Sequence, residues 1–484
     1  WCLPHPLLGI TPELEALAWP LQGTLSSTEV YNLFLLLSFP LCSLAMYLLV
    51  IDITNDHAAA LLGGAVFAFS PHRLGHALAG HLTQLALWWG PLYLRHMLRL
   101  FERARWRDAL WAGLFLGLQG LVALVVTAYY ALPLASVTLT YLLWTRRQRF
   151  SGRLAARLAA SLLLALVIIA PLLGPFVVEA ARQGADFRVS GATPNAADLV
   201  ALALPTPYHP LWSRVVGLLA PVQRLFASAS DLEHTVYLGW LLLALAAVGL
   251  HRGGRERGLW AILGLITLLL ALGPTLRVGG EDTGLPMPYT LLERLPFFSW
   301  GRTPERFVAL TMFGLAVLAA QGFSALHWRP LAKGAVATLL LVEMLLIWPW
   351  PAGTPRPPEA MAAWRGESGA VAQFPAAKRQ VSNLGMYHQT VHQRPMVGGY
   401  IHRELPGMRE YAKALDAACL ERAAGAARPL TAEELRRLLA GLGIRHALLY
   451  RDWMSPTAFG TSEARFRQAF GEPAADWGSA LVYD

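Results

Sequence analysis

Phe69-Ser70-Pro71-His72-Arg73-Leu74-Gly75-His76-Ala77-Leu78-Ala79-Gly80-His81 lies between two apolar runs, and its reading governs the rest of the chain. Ionisable groups held this close to hydrocarbon are costly and therefore mark a site by default. His72 and His76 are four residues apart, so a helical turn puts both on one face. Arg73 adds a fixed planar charge suited to a phosphate or pyrophosphate. His72, Arg73, His76 and His81 are accordingly candidate substrate contacts. A divalent metal on the three histidines is the weaker alternative, because no carboxylate sits nearby.

Composition sets the class. The chain has 484 residues, of which 55% are hydrophobic and only 15% charged, with a mean hydropathy of +0.42. Its apolar residues come in blocks of membrane-spanning length, ~20 residues each. Cys2, Cys42 and Cys419 show neither a disulfide framework nor metal-ligand spacing. The formal charge of +9 is carried almost entirely by arginine in short loops beside apolar runs. That placement argues for a lipid bilayer as partner and against nucleic acid. The chain opens at Trp1 with Pro-rich, weakly hydrophobic sequence. The expectation is that an N-terminal span and the start of the loop after it lie outside this sequence.

Apolar runs bounded by charges or Pro/Gly clusters give ten candidate spans, near 29–51, 58–71, 82–100, 108–125, 127–145, 158–180, 234–251, 258–276, 304–323 and 334–350. The fold class expected is an all-α membrane bundle over 1–350, followed by a small α/β domain over 351–484. Positive charge orients the spans. Arg103, Arg105 and Arg107 fill one short loop, Arg146, Arg147, Arg149, Arg153 and Arg157 fill a second, and the loops at Arg252–Arg257 and Arg329–Lys333 fall on the same face as both. That face is expected to be cytoplasmic. Residues 1–28, the 72–81 loop, the loops 181–233 and 277–303, and the tail from about 352 then face outward. Within the long loop, Leu211–Phe226 reads either as a helix lying in the interfacial plane or as an ordinary packed helix.

The tail begins with a stiff Pro-rich linker, Pro351-Ala352-Gly353-Thr354-Pro355-Arg356-Pro357-Pro358. Strand-type runs follow at 370–374 and 447–450, with a last one at 480–483. A helix near 431–441 opens with Thr431-Ala432-Glu433-Glu434 and closes at Gly443. The polar, aromatic stretch from Met386 to Arg403 suits an acceptor sugar or a docking loop. Elsewhere on the outer face, Glu233 is a candidate substrate contact, and Arg302 and Arg306 are candidate contacts for a lipid phosphate, with interfacial snorkelling as the competing role for the arginines. Among the carboxylates Glu13, Glu15 and Glu29 before the first span, Glu13 is the foremost candidate base. No Walker loop, GxGxxG or Ser/His/Asp order is present.

Taken together, several groups carry a resemblance: Ala68-Phe69-Ser70-Pro71-His72-Arg73-Leu74-Gly75-His76, Tyr31-Asn32, Thr127-Ala128-Tyr129-Tyr130, Glu233 before Tyr237-Leu238-Gly239, and Arg302-Thr303-Pro304-Glu305-Arg306-Phe307. This set resembles bacterial polytopic membrane proteins of the GT-C glycosyltransferase type, including YfhO-like and protein mannosyltransferase-like proteins. The resemblance covers most of the membrane half and, more loosely, the tail. It implies a site on the outer face of the cytoplasmic membrane, a polyprenyl-phosphate-linked sugar donor, a glycan, lipid or protein acceptor, and no cofactor. It also implies an acidic base in the first outer loop, usually aspartate. No aspartate precedes Asp52 here, so the base is either Glu13 or a residue outside this sequence. A lipid or glycan transporter, or an inert membrane protein with an outer recognition domain, is the alternative. Ionisable residues gathered at span ends rather than at mid-depth favour the enzyme.

Overall fold

Local chemistry sets the helix boundaries. The computed structural model describes residues 11–21, 23–183, 195–225, 231–254, 256–295, 298, 303–346, 359–398, 408–420 and 430–484. A short α1 (Pro12–Ala18) precedes the long α2 (Ser27–Thr54). Ser26 and Glu29 exchange hydrogen bonds in a capping box at the start of α2, and Asn55, at φ +52°, ends it. Asp56 then caps α3 (His57–Ala68) by accepting from the Ala58 and Ala59 amides. Ser70-Pro71 stops that run and starts α4 (Pro71–Leu78) with proline in the first turn.

Next come α5 (Leu82–Leu85), α6 (Trp89–Arg103), α7 (Trp106–Leu121), α8 (Leu124–Val126), a π-helical turn over Thr127–Ala131, α9 (Leu132–Thr145) and α10 (Gly152–Gln183). The short helices α11 (Leu199–Ala203), α12 (Ser213–Val216) and α13 (Ala220–Leu225) lead to α14 (Trp240–Arg252) and α15 (Arg257–Ala271). The hairpin β1 (Thr275–Val278) and β2 (Glu281–Pro286), then α16 (Tyr289–Leu292), α17 (Val308–Ala325) and α18 (Pro330–Glu343) complete this part. Residues 10–351 form one compact unit, and 352–484 belong to a second.

Among the described residues, Thr28–Thr54, Leu124–Thr145, Gly152–Val178 and Pro304–Ala325 are long and apolar enough to cross a membrane, and α3, α14 and α15 are apolar but shorter. The candidate span 82–100 is not one helix. The chain breaks between α5 and α6, and α6 is amphipathic, with Tyr93, Leu94, Met97 and Phe101 buried and Arg95 and Arg99 on its other side. Leu211–Phe226 is likewise not a single interfacial helix, because α12 ends at Gly217 and a turn separates it from α13. The loop after α15 holds the β1–β2 hairpin, whose turn is anchored when Asp198 accepts from the Gly279 and Gly280 amides.

Glycine permits the closest helix contacts, as expected where hydrocarbon supplies no drive for helices to associate. A Cβ at Gly249 of α14 would lie 1.8 Å from the Leu318 carbonyl oxygen of α17, and one at Gly322 of α17 would lie 2.1 Å from the Leu245 carbonyl oxygen of α14. Gly113 meets the Ser161 carbonyl of α10 in the same way. The entry to α14 depends on another device. Gly239, at φ +89°, turns the chain so that the Trp240 and Leu241 amides donate to Glu343 of α18, which also accepts from the Tyr237 hydroxyl.

In the second unit, a four-stranded sheet has the order β3 (Ala370–Phe374), β4 (Ile444–Tyr450), β6 (Ala480–Tyr483), β5 (Ala475–Asp476). The β3–β4 pair is parallel and the others are antiparallel. Helices α19 (Arg379–His392), α20 (Met408–Cys419), α21 (Ala432–Gly441) and α22 (Pro456–Phe470) accompany the sheet. Thr431 and Glu434 form the capping box of α21, and Phe374, Leu449, Phe466 and Tyr483 belong to one core.

Gly322→Val should prevent α14 and α17 from reaching contact, because the obstacle is backbone and cannot rotate away. The expected loss is about 3 kcal/mol or outright misfolding, read as a lowered thermal midpoint of the detergent-solubilised protein. A wild-type melting curve would contradict the packing described.

Candidate functional site

Three segments far apart in sequence meet at one end of the first unit. The joint is Gly75, in the middle of α4 rather than at a turn. A Cβ there would fall 1.7 Å from the Thr235 hydroxyl and 2.5 Å from the Leu232 carbonyl oxygen, so only glycine lets α4 lie on the 231–235 segment. That segment carries His234, whose Nδ1 is 2.9 Å from Glu305 Oε2. Glu305 belongs to the 3₁₀ turn Pro304–Phe307, which also carries Arg306 and leads into α17.

The histidines form a chain. His72 and His76 meet edge to face with ring centroids 4.5 Å apart, and His76 Nδ1 is 3.0 Å from His81 Nδ1. One of those two nitrogens must donate and the other accept, so the pair shares a single proton. His72 Nδ1 and His76 Nε2 are buried without a hydrogen-bond partner. Burial, then the charges of Arg306 and Arg73 on His72, push the His72 ring down to about 3. Burial also pushes His76 well below the ordinary histidine value, with His72 and Arg306 adding to it. Both rings are therefore neutral near pH 7 and offer hydrogen bonds rather than charge. Arg306 is buried, and its field, like that of Arg73, reaches both rings.

Arg73 does not join this group as a ligand contact. It is 1% exposed, and its Nε, Nη1 and Nη2 donate to the Ala68, Leu85 and Ser38 carbonyls at 3.0, 2.8 and 3.3 Å. The Phe39 and Phe67 rings cover it at 5.7 Å. The guanidinium is a structural staple: the helix points it inward while the neighbouring histidines point to the site.

Glu13 is 4% exposed. Its Oε1 accepts from Trp89 Nε1 at 3.1 Å, and its Oε2 is buried with no partner. Burial outweighs the Trp89 hydrogen bond and pushes the carboxyl up to about 7. Trp89 shares a face of α6 with Tyr93 and Met97. Those two help line an apolar cavity of about 390 Å³ between α6, α7, α9 and α10, with Leu116, Leu139, Leu162 and Phe298. Phe298 stacks on Phe307 at 6.4 Å, and Phe307 meets Tyr129 of the π-helical turn at 5.0 Å. Tyr129 interacts with Thr303 and Arg306, so an aromatic bridge joins the cavity to the polar cluster.

The remaining sequence candidates divide as follows. Arg302 lies outside the described residues, as does the side chain of Glu233, whose backbone belongs to the 3₁₀ turn Asp231–His234. Glu29 serves as a helix cap, and Glu15 bonds Thr11. Of the Met386–Arg403 stretch, 386–392 is the end of α19 and 399–403 lies outside the described residues. His388 is buried against the Tyr450 hydroxyl at 3.0 Å, in the interior of the second unit. Glu305, His234 and Tyr129 were missed as site residues although they stood within or beside the quoted motifs. The available signal was a lone carboxylate opening an apolar span. Among the described residues no group of three or more His, Cys, Asp or Glu is placed to hold a metal ion.

Comparison with known proteins bears on the first unit above all. No curated protein sequence matches the chain. The solved arabinofuranosyltransferase AftD from Mycobacteria is similar over 97% of this chain and 36% of its own length, at 14% identity and a TM-score of 0.56. The chain thus spans about a third of that protein. ArnT from Cupriavidus metallidurans, in the apo state, aligns over 99% of this chain and 87% of its own, at 14% identity and a TM-score of 0.41. The AftD likeness shows that this chain shares the fold of the matched part of that protein. A family model described as a domain of unknown function, DUF6311, matches residues 10–349, and the chain belongs to that family.

Proposed function

We propose that this chain is an integral membrane glycosyltransferase of the bacterial cytoplasmic membrane. It moves a sugar from a polyprenyl-phosphate-linked donor to an acceptor hydroxyl of a glycan, lipid or protein on the outer face, with the 352–484 unit on that same side. The carrying observation is the continuity from a long apolar cavity, through Phe298, Phe307 and Tyr129, to Arg306 and two partnerless histidine nitrogens. An amphiphile with an apolar tail and a phosphate head has this same sequence of surfaces. The GT-C fold agrees with the reading.

In the reaction, Glu13 takes the proton of the acceptor hydroxyl. The freed oxygen attacks the anomeric carbon, and the bond from that carbon to the phosphate oxygen breaks. The electron pair leaves with the lipid phosphate, where Arg306 supplies charge and His72 and His76 supply hydrogen bonds. Neutral histidines suit this task, because a buried pair of imidazolium rings would repel each other and Arg306 before the phosphate arrived. Arg302 and Glu233 flank these groups in sequence and are proposed as further donor contacts, and His81 positions His76 through the shared proton.

The direct test is to give the purified protein a panel of polyprenyl-phosphate sugars and follow sugar transfer or donor hydrolysis. Absence of turnover, together with substrate counter-flow in proteoliposomes, would replace the transferase with a transporter. Glu13→Gln should lower kcat by about 10²–10⁴-fold at unchanged thermal stability. Because only the ionised carboxylate accepts a proton, the wild-type kcat/KM should rise with pH around 7 and level off above it. A profile flat from pH 6 to 8 would remove Glu13 from the role of base.

Arg306→Gln should cost about 10²–10³-fold in kcat, whereas Arg73→Gln should lower the melting temperature first and activity only through it. Ala135→Trp, which obstructs the cavity, should raise KM for long-chain donors about tenfold, the loss of roughly two buried methylenes. Short-chain donors should be unaffected, and an equal effect on both would exclude the cavity as the tail site.

A further inference from the structure

The candidate site leaves unused a second polar centre at the opposite ends of the same helices. Asp52, near the end of α2, accepts from Arg95 Nε at 2.8 Å and from Arg99 Nη2 at 2.6 Å. Arg146, at the end of α9, pairs with Glu256 at the start of α15. With Arg103 these groups line a cavity of about 200 Å³ whose apolar wall includes Leu49, Ile53 and Leu98.

Two observations separate this cavity from an ordinary ion-pair network. The Arg146 side chain is only 10% exposed, and its Nη1 is buried with no hydrogen-bond partner. A buried guanidinium donor left unmade is expensive, and a ligand oxygen is the simplest group to satisfy it. Arg103 also borders the cavity and is exposed, with no ion pair among the described residues. Arg146, which pairs with Glu256 through Nη2 and leaves Nη1 unbonded, and Arg103 thus border one volume large enough for a phosphate group, whose wall also carries Glu102.

The level of the cavity identifies where that phosphate comes from. Tyr31, in the first turns of α2, donates to the Gly80 carbonyl at 2.6 Å, beside His81. Asp52 lies on the same helix, about 31 Å further along at 1.5 Å per residue. This is the thickness of a bilayer's hydrocarbon core, ~30 Å. The cavity therefore stands at headgroup height in the leaflet opposite the candidate site, among the arginine-rich loops that attract anionic lipid.

We propose that this cavity is a phosphate site that holds the headgroup of an anionic phospholipid, with Arg146 Nη1 and Arg103 as the donors that meet its oxygens. The inference rests on the membrane placement of α2 and is independent of the transferase reading. A bound lipid here pins the ends of α2, α6, α9 and α15 together.

The test uses the full chain purified in phosphatidylcholine nanodiscs, with dioleoyl phosphatidylglycerol, dioleoyl phosphatidylcholine and inorganic phosphate as probes. Retention is read by native mass spectrometry and melting temperature by intrinsic fluorescence. Phosphatidylglycerol should be retained about tenfold more tightly than phosphatidylcholine and should raise the melting temperature. Arg146→Gln should abolish the preference. Arg103→Gln, at an exposed position that does not threaten folding, should reduce it several-fold with the melting temperature in phosphatidylcholine unchanged. Stabilisation by inorganic phosphate alone, lost in both variants, would keep the phosphate site and overturn the lipid source. Equal retention of the two lipids with no response to phosphate, or a full preference in correctly folded Arg103→Gln, would overturn the proposal altogether.

Discussion

A guanidinium with no carboxylate beside it, buried among membrane helices, is tolerable only where main-chain carbonyls and aromatic faces surround it. Arg73 meets that condition by drawing oxygen atoms from three places at once: Ser38 within α2, Ala68 at the end of α3 and Leu85 at the end of α5. If any of these moved away, the charge would be left without compensation, at a cost of several kcal/mol. The arginine therefore holds the segment 69–85 in place. Everything else at that end of the first unit follows from where that segment sits. α4 runs under the 231–235 segment because Gly75 leaves room, and His234 then reaches Glu305.

The site built on this staple is electrically unusual. Its cation, Arg306, acts on two neutral rings, and Glu13 keeps one carboxylate oxygen unbound. A carboxyl raised to about 7 is suited to exchange a proton near neutral pH. The apolar cavity completes a gradient from hydrocarbon to charge, as an interfacial substrate requires.

Much of this was legible in the sequence. The apolar blocks, the basic loops and the ring of His, Arg and Glu at span ends come from hydropathy and charge, which are local properties. So do the capping boxes at Ser26 and Thr431, whose partners lie three residues away. Where reading by pattern failed, the cause was direction. Arg73 and His72 are adjacent in the chain, yet one turns toward backbone carbonyls and the other toward the site, and no spacing rule distinguishes them. Gly75 carries no local sign of its role, because its close neighbour, Thr235, is 160 positions away.

The chain's own order of residues thus settles that it is a helical membrane protein and which short motifs carry ionisable groups. Those features depend on the free energy of each segment in water or lipid. Folding settles which of the groups meet, which are spent on structure and which stay available. Glu305 pairs with His234, Arg73 becomes a staple, and Glu13 is isolated against Trp89. These outcomes depend on close packing between helices distant in sequence. Burial there converts the orientation of one side chain into whether it is ionised and whether it is free to bind.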